Sequence, residues 1–104
     1  MSAMLEFAMF PTDKGESVSA YVSRIIKAID ESGASYQLTP MGTIIEVETL
    51  DEALAIIKES FSRLEPDCGR VYSSLKLDIR KGKTGRLKQK IASIEEKIGK
   101  EVKK

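Results

Sequence analysis

The sequence predicts an α+β domain, a single sheet covered by helices, and three observations carry that reading. Apolar and polar residues alternate over short runs within residues 4–10, 43–49 and 70–80, the period of a half-buried strand. Between those runs apolar residues recur every three or four positions, the period of a helix packed along one face. The chain has 104 residues, 41% hydrophobic and 32% charged, which is one domain's worth with enough apolar surface for an interior.

The first strand is predicted over residues 4–10, with Leu5, Phe7 and Met9 on one side and Glu6 and Ala8 on the other. Pro11 ends that alternation. Val18, Val22, Ile25, Ile26 and Ile29 then follow helical spacing, with Ser17 as a candidate N-cap and Ser32-Gly33 as the stop. Residues 35–39 and 43–49 read as strands around the turn Pro40-Met41-Gly42, and so short a connection makes them an antiparallel hairpin. Thr49-Leu50-Asp51-Glu52 has the pattern of a capping box, Glu52 reaching back to the Thr49 amide, ahead of the stripe Ala53, Leu54, Ile57, Phe61 and Leu64. Residues 70–80 form a long last strand, with Val71, Leu75, Leu77 and Ile79 on one side and Tyr72, Lys76, Asp78 and Arg80 on the other. After Gly82-Lys83-Thr84-Gly85, the stripe Leu87, Ile91, Ile94, Ile98 and Val102 marks a charged third helix.

This order is βαββαβ plus a C-terminal helix. Right-handed crossovers and the central hairpin then predict a ferredoxin-like sandwich: a four-stranded antiparallel sheet in the order 4-1-3-2 with two helices on one face. Residues 1–83 make that domain, and residues 84–104 make an amphipathic helix packed on it or on a partner subunit. Four loops converge at one edge of such a sheet, bringing Phe10, Ser17, Ser19, Thr39, Met41, Thr43 and Arg70 within reach of one another. Asp78 and Arg80 fall at the opposite end. The uncovered sheet face and the long edge strand predict self-association as a homo-oligomer.

Composition excludes most catalytic chemistry. There is no histidine and a single cysteine, Cys68, which removes disulfide frameworks, thiolate-imidazole metal sites and the common nucleophilic triads. No metal ligand set and no cofactor motif stand out, and the glycines at 82 and 85 lack the phosphate-loop spacing. The protein is therefore expected not to be an enzyme and to have no catalytic residues. An acid-base pair of Glu46 and Asp78 would have its members toward different ends of the sheet. No apolar run approaches a membrane span and no signal peptide is visible, so a cytoplasmic location without membrane contact is expected.

Charge is unevenly distributed. Residues 1–75 carry six basic and twelve acidic side chains, whereas residues 76–104 carry eleven basic and four acidic ones. The basic tail fits a solvated face or a dock for an acidic neighbour. Nucleic acid is not an expected ligand of the sheet: the third strand, Thr43-Ile44-Ile45-Glu46-Val47-Glu48, offers carboxylates where an RNA-binding sheet would offer stacking aromatics. On the open face, Glu46 and Glu48 are expected to pair with Lys76 or Arg80.

The convergent edge is the candidate binding site. A helix start offers amide donors, Thr39 and Thr43 offer hydroxyls, and Met41 is soft and adaptable, a set suited to a small polar heterocycle. The runs Ser17-Val18-Ser19-Ala20-Tyr21-Val22, Tyr36-Gln37-Leu38-Thr39-Pro40-Met41-Gly42-Thr43 with Glu46, Gly69-Arg70-Val71, and Lys76-Leu77-Asp78-Ile79-Arg80 resemble the small thiamine-binding proteins related to YkoF. That resemblance implies a ferredoxin-like domain, dimeric and often tetrameric, that binds thiamine or its aminopyrimidine part without transforming it. It implies ligand-binding roles for Ser17, Ser19, Tyr36, Met41, Thr43 and Glu46, with Lys76, Asp78 and Arg80 structural or interfacial. Strict alternation sets Thr43 and Glu46 on opposite sides of one strand, so a shared pocket needs a bulge or a second subunit. The alternative function is an interaction protein whose basic C-terminal helix docks an acidic partner or nucleic acid.

Overall fold

The computed structural model describes residues 1–104. Its elements run β1 (Ser2–Pro11), α1 (Ser19–Glu31), β2 (Ser35–Thr39), β3 (Gly42–Val47), α2 (Leu50–Ser62), β4 (Val71–Arg80) and α3 (Arg86–Ile98). The sheet order is β2-β3-β1-β4 with every pair antiparallel, the ferredoxin-like sandwich. Leu5, Ile29, Ile45 and Leu64 are fully buried where α1 and α2 lie over β1 and β3.

The start of α1 differs from the sequence expectation. Val18, not Ser17, is the N-cap residue, and no side chain caps the helix. At α2 the Thr49 hydroxyl accepts the Glu52 amide at 3.2 Å, as a capping box requires, but Glu52 returns its carboxylate to the Glu48 amide rather than to Thr49. The buried face of α2 is Ala53, Ile56 and Ser60, turned from the stripe read in the sequence, and Leu54 and Phe61 are exposed. Serine is admitted because the Ser60 hydroxyl donates to the Ile56 carbonyl at 2.7 Å, satisfying itself within the helix.

Two interactions pin the loops at the pole where β1 ends. Arg24 on α1 forks onto both carboxylate oxygens of Asp67 at 2.8 and 3.0 Å, donates to the Arg63 carbonyl, and stacks over the Tyr21 ring. Its hydrogen bonds, with its charge behind them, hold the Asp67 carboxyl below the usual carboxylate range. Asp13 in the β1–α1 loop accepts the Gly69 amide, which ties that loop to the α2–β4 connection.

The C-terminal helix is anchored at its start alone. Arg86 and Leu87 are buried against β1 and β3, while Ile94 and Ile98 are exposed as α3 runs outward. It ends at Gly99, whose left-handed φ of 74° only glycine adopts without strain. Val102 therefore leaves the helical stripe, and its amide folds back to donate to the Glu95 carboxylate.

Candidate functional site

The loops do converge. A cavity of about 300 Å³ opens between the start of α1, the end of β1 and the β2–β3 hairpin. Phe7, Ala8, Met9 and Phe10 form its floor, Val18, Val22, Ile25 and Ile26 one wall, and the run from Leu38 to Thr43 the other. No lining residue titrates.

Local sequence explains the shape. Pro40 and Met41 are the two central residues of a tight hairpin whose flanks, Thr39 and Gly42, face each other across the strands. The Thr39 hydroxyl donates to the Gly42 carbonyl at 2.8 Å and accepts the Met41 amide at 3.3 Å, so the turn is fastened by its own side chain. Gly42 lies close to β1. A Cβ there would stand 3.1 Å from the Phe7 carbonyl oxygen, tight enough that a larger residue needs the hairpin or β1 to give by a few tenths of an ångström. Opposite the hairpin, the α1 start has neither a capping side chain nor an acidic residue in its first turn, leaving its first amides open to solvent or a ligand.

Of the residues the sequence brought to this edge, Phe10, Thr39, Met41 and Thr43 line the cavity, and Arg70 does not. Met41 is 89% exposed at the rim. Thr43 is 4% exposed, on the helix side of β3 opposite Phe7, and because no buried polar side-chain atom is left without a partner, its hydroxyl, which bonds to no group of the chain, opens to the cavity. Ser17 and Ser19 stand beside the site as exposed residues flanking Val18, which is the part of that segment that enters the wall. Tyr36 does not reach it: its hydroxyl donates to Asp30 at 2.8 Å, and that negative partner, with burial, pushes the phenol pKa up.

Glu46 belongs to the other pole. One carboxylate oxygen accepts the Arg86 amide and the other the Leu87 amide, both at 3.0 Å, so it caps α3 from a different element. Burial pushes this carboxyl up, but the two amides, the Ser2 hydroxyl and the Arg86 charge outweigh that and hold it below its usual value. Its expected pairing with Lys76 or Arg80 is not formed, and Lys76 instead lies 3.5 Å from Glu6. Nor are Glu46 and Asp78 at different ends. Both are neighbours of Met4 in the sheet, and Arg86 ties them together by donating to the Asp78 carboxylate at 3.0 Å. That row is an anchor for α3 rather than a binding cleft.

A larger hollow of about 920 Å³ lies at that same pole, lined by Glu46, Glu48, Glu52 and Glu59 among others. It is the weaker candidate. The carboxylates of Glu46 and Glu52 are already taken by backbone amides, whereas the smaller cavity holds a free hydroxyl inside apolar walls.

Val18, Val22, Ile26 and Leu38 are contacts that no motif reveals. Their one signal in the sequence is that the apolar stripe of the first helix is wider than a single packed face needs, with Val22 and Ile26 beside Ile25 and Ile29.

The model of a family described as "Thiamine-binding protein" matches residues 5–95. The chain belongs to that family. Among its relatives, UPF0045 protein MJ1052 of Methanocaldococcus jannaschii is 38% identical over 91 residues, 88% of this chain and 90% of that protein. UPF0045 protein Mb1933 of Mycobacterium bovis is 32% identical, covering 91% of this chain and 93% of that one. The crystal structure of the M. jannaschii protein superposes with a TM-score of 0.81 over 91% of this chain and 97% of its own. A Thermotoga maritima protein with a provisional assignment to thiamine biosynthesis or salvage shares the fold at a TM-score of 0.78 and 21% identity, covering 90% of this chain and 99% of its own. Family membership and the cavity between the first helix and the hairpin are thus independent observations on one chain.

Proposed function

We propose that this protein binds thiamine or a related aminopyrimidine in the cavity between α1 and the β2–β3 hairpin and releases it unchanged. The observation that carries the reading is the Thr43 hydroxyl, on a residue only 4% exposed, open to the cavity and set in walls of aliphatic and aromatic side chains. Such a site favours a flat ring with few polar atoms, because each additional polar group would be buried without a partner. An aminopyrimidine presents ring acceptors and an exocyclic amine, and a hydroxyl can serve either. A cationic thiazolium finds no carboxylate in the cavity, so its place is at the mouth, against the Phe10 ring, which packs 5.7 Å from Tyr72. With no titratable group in the lining there is nothing to move a proton, which supports binding in sequestration, delivery or sensing over catalysis. We place this role in a cytoplasmic homo-oligomer. In keeping with that, no helix is long and apolar enough to cross a membrane.

Calorimetric titration with thiamine and with its aminopyrimidine fragment tests the proposal. Saturable heat together with a raised melting temperature is expected, and the absence of both at about 1 mM ligand would overturn it. Thr43→Val removes the hydroxyl at nearly constant volume and is expected to weaken binding about tenfold, the cost of one hydrogen bond of about 1.4 kcal/mol. Because the lost hydroxyl has no partner in the free protein, the ligand-free melting temperature should hold or rise.

A further inference from the structure

The floor of the cavity holds a second polar feature besides Thr43, and it belongs to the main chain. β1 pairs with β4 from Ser2 to Pro11, but its pairing with β3 stops at Phe7 opposite Thr43. From Ala8 to Pro11 the strand therefore has a neighbour on one side only. Its free side faces the hairpin turn across the cavity.

The phase of that free edge follows from one bond. The Thr12 amide donates to the Arg70 carbonyl at 2.8 Å and continues the register that sets Pro11 opposite Val71, so even-numbered residues of β1 turn their N–H and C=O groups toward β4. Odd-numbered residues turn theirs toward β3. Pro11 agrees with this phase, because a proline is admitted in a sheet only where its missing donor faces an unpaired side. Phe7 pairs with Thr43, and Met9 is the next odd residue. Continuation of the ladder would set Met41 against it, but Met41 lies in the hairpin turn and gives its amide to the Thr39 hydroxyl. No backbone bond joins Met9 to the turn, and no side chain bonds to its amide or carbonyl.

Met9 is nonetheless only 7% exposed. Backbone groups buried to that degree are nearly always paired, so a ligand that brings both an acceptor and a donor gains there what an added strand gains at a sheet edge. The ring nitrogen and exocyclic amine of an aminopyrimidine are such a pair, adjacent and coplanar.

We infer, on the ligand reading proposed above, that the protein selects its ring compound through the main chain of Met9, whose N–H donates to the ring nitrogen and whose C=O accepts from the exocyclic amine. Recognition is then directional. The Met9 carbonyl lies on the Phe10 side of the residue, and in thiamine the carbon that bears the thiazolium stands beside the amine, so this order delivers the cation toward the Phe10 ring at the mouth. An oxo analogue, with oxygen in place of the amine, presents a ring N–H and a carbonyl in the reverse order. It sets donor against donor and acceptor against acceptor, and turning the ring over carries the thiazolium away from Phe10.

Calorimetry of the full chain with thiamine and with its oxo analogue, together with backbone amide exchange by NMR with and without thiamine, tests this. Thiamine is expected to bind about a hundredfold more tightly than the oxo analogue, two hydrogen bonds at about tenfold each. In the free protein the Met9 amide should exchange faster than those of Ala8 and Phe10, which turn toward β4, and saturating thiamine should slow it by about tenfold or more. Thiamine heat with an oxo analogue of equal affinity, or with Met9 exchange that thiamine leaves unchanged, would overturn the Met9 contact and leave thiamine binding standing. Slow Met9 exchange in the free protein would overturn it too, by showing a partner within the chain. Absence of thiamine heat would overturn the ligand reading along with it.

Discussion

Replacing Arg86 with alanine is expected to undock α3 and to lower the melting temperature by about 10 °C or more, the equivalent of about 2 kcal/mol in a domain of this size. The guanidinium is almost completely buried, and every bond it makes is to another element. It donates to the Ser2 hydroxyl at 2.7 Å, the Ser2 carbonyl at 2.9 Å, the Asp78 carbonyl at 2.7 Å and the Asp78 carboxylate at 3.0 Å. Alanine would strand the Ser2 groups and weaken the charge complement of Glu46, so desolvation is incurred without compensation. The measurement is thermal unfolding by circular dichroism, with hydrogen exchange at residues 86–98 to separate release of the helix from global loss of structure. An unchanged melting temperature together with full protection of α3 would contradict the anchoring role.

The same anchor should respond to acid. Glu46 is held below its ordinary pKa, so its folded form binds a proton less readily than the unfolded chain does. Its stabilisation is complete above the unfolded glutamate value of about 4.3 and is lost as pH falls through the lower, folded value. Exchange of the α3 amides should accelerate selectively below about pH 4, before the core melts, and Glu46→Gln should abolish that selective step.

Val22→Trp is expected to abolish ligand heat while leaving the ligand-free fold intact. Val22 is half-buried on α1 and faces the cavity across from the hairpin, so an indole there occupies space the ring compound needs. Overpacking usually costs about 1–3 kcal/mol because the core has no room. Here the room exists, about 300 Å³ of it, and the melting temperature should change by only a few degrees. Retention of normal affinity by a folded Val22→Trp variant would place the ligand elsewhere. The larger hollow at the Glu46 pole would then be the next site to test.

The element order was legible because each signal is local. Alternation identifies β1, Thr49 and Glu52 announce α2, and Pro40 fixes the hairpin, all through interactions among residues near in sequence. The rotation of α2 was less legible. Leu54 and Phe61 satisfy helical periodicity as well as Ile56 and Ser60 do, and only contact with β1 and β3 chooses between the two faces. Ser17 shows the weakness of a local rule applied alone. It is a good capping residue, but the helix starts one residue later with Val18 turned into the cavity wall, and no side chain does the capping.

By itself the sequence determined the βαββαβ order, the absence of imidazole chemistry, and the meeting of the first helix start with the Met-Gly-Thr bend at one pole. Only the tertiary structure decided what each polar residue there does. Glu46 and Arg86 are 40 positions apart, and a carboxylate on a strand looks the same in sequence whether it holds a ligand or caps a distant helix. Thr43 differs from Thr39 in the same way: both are hairpin threonines, but one hydroxyl closes its own turn and the other is left facing a cavity. Burial and the direction a side chain takes are properties of the packed chain, set by long-range contacts that local periodicity does not encode.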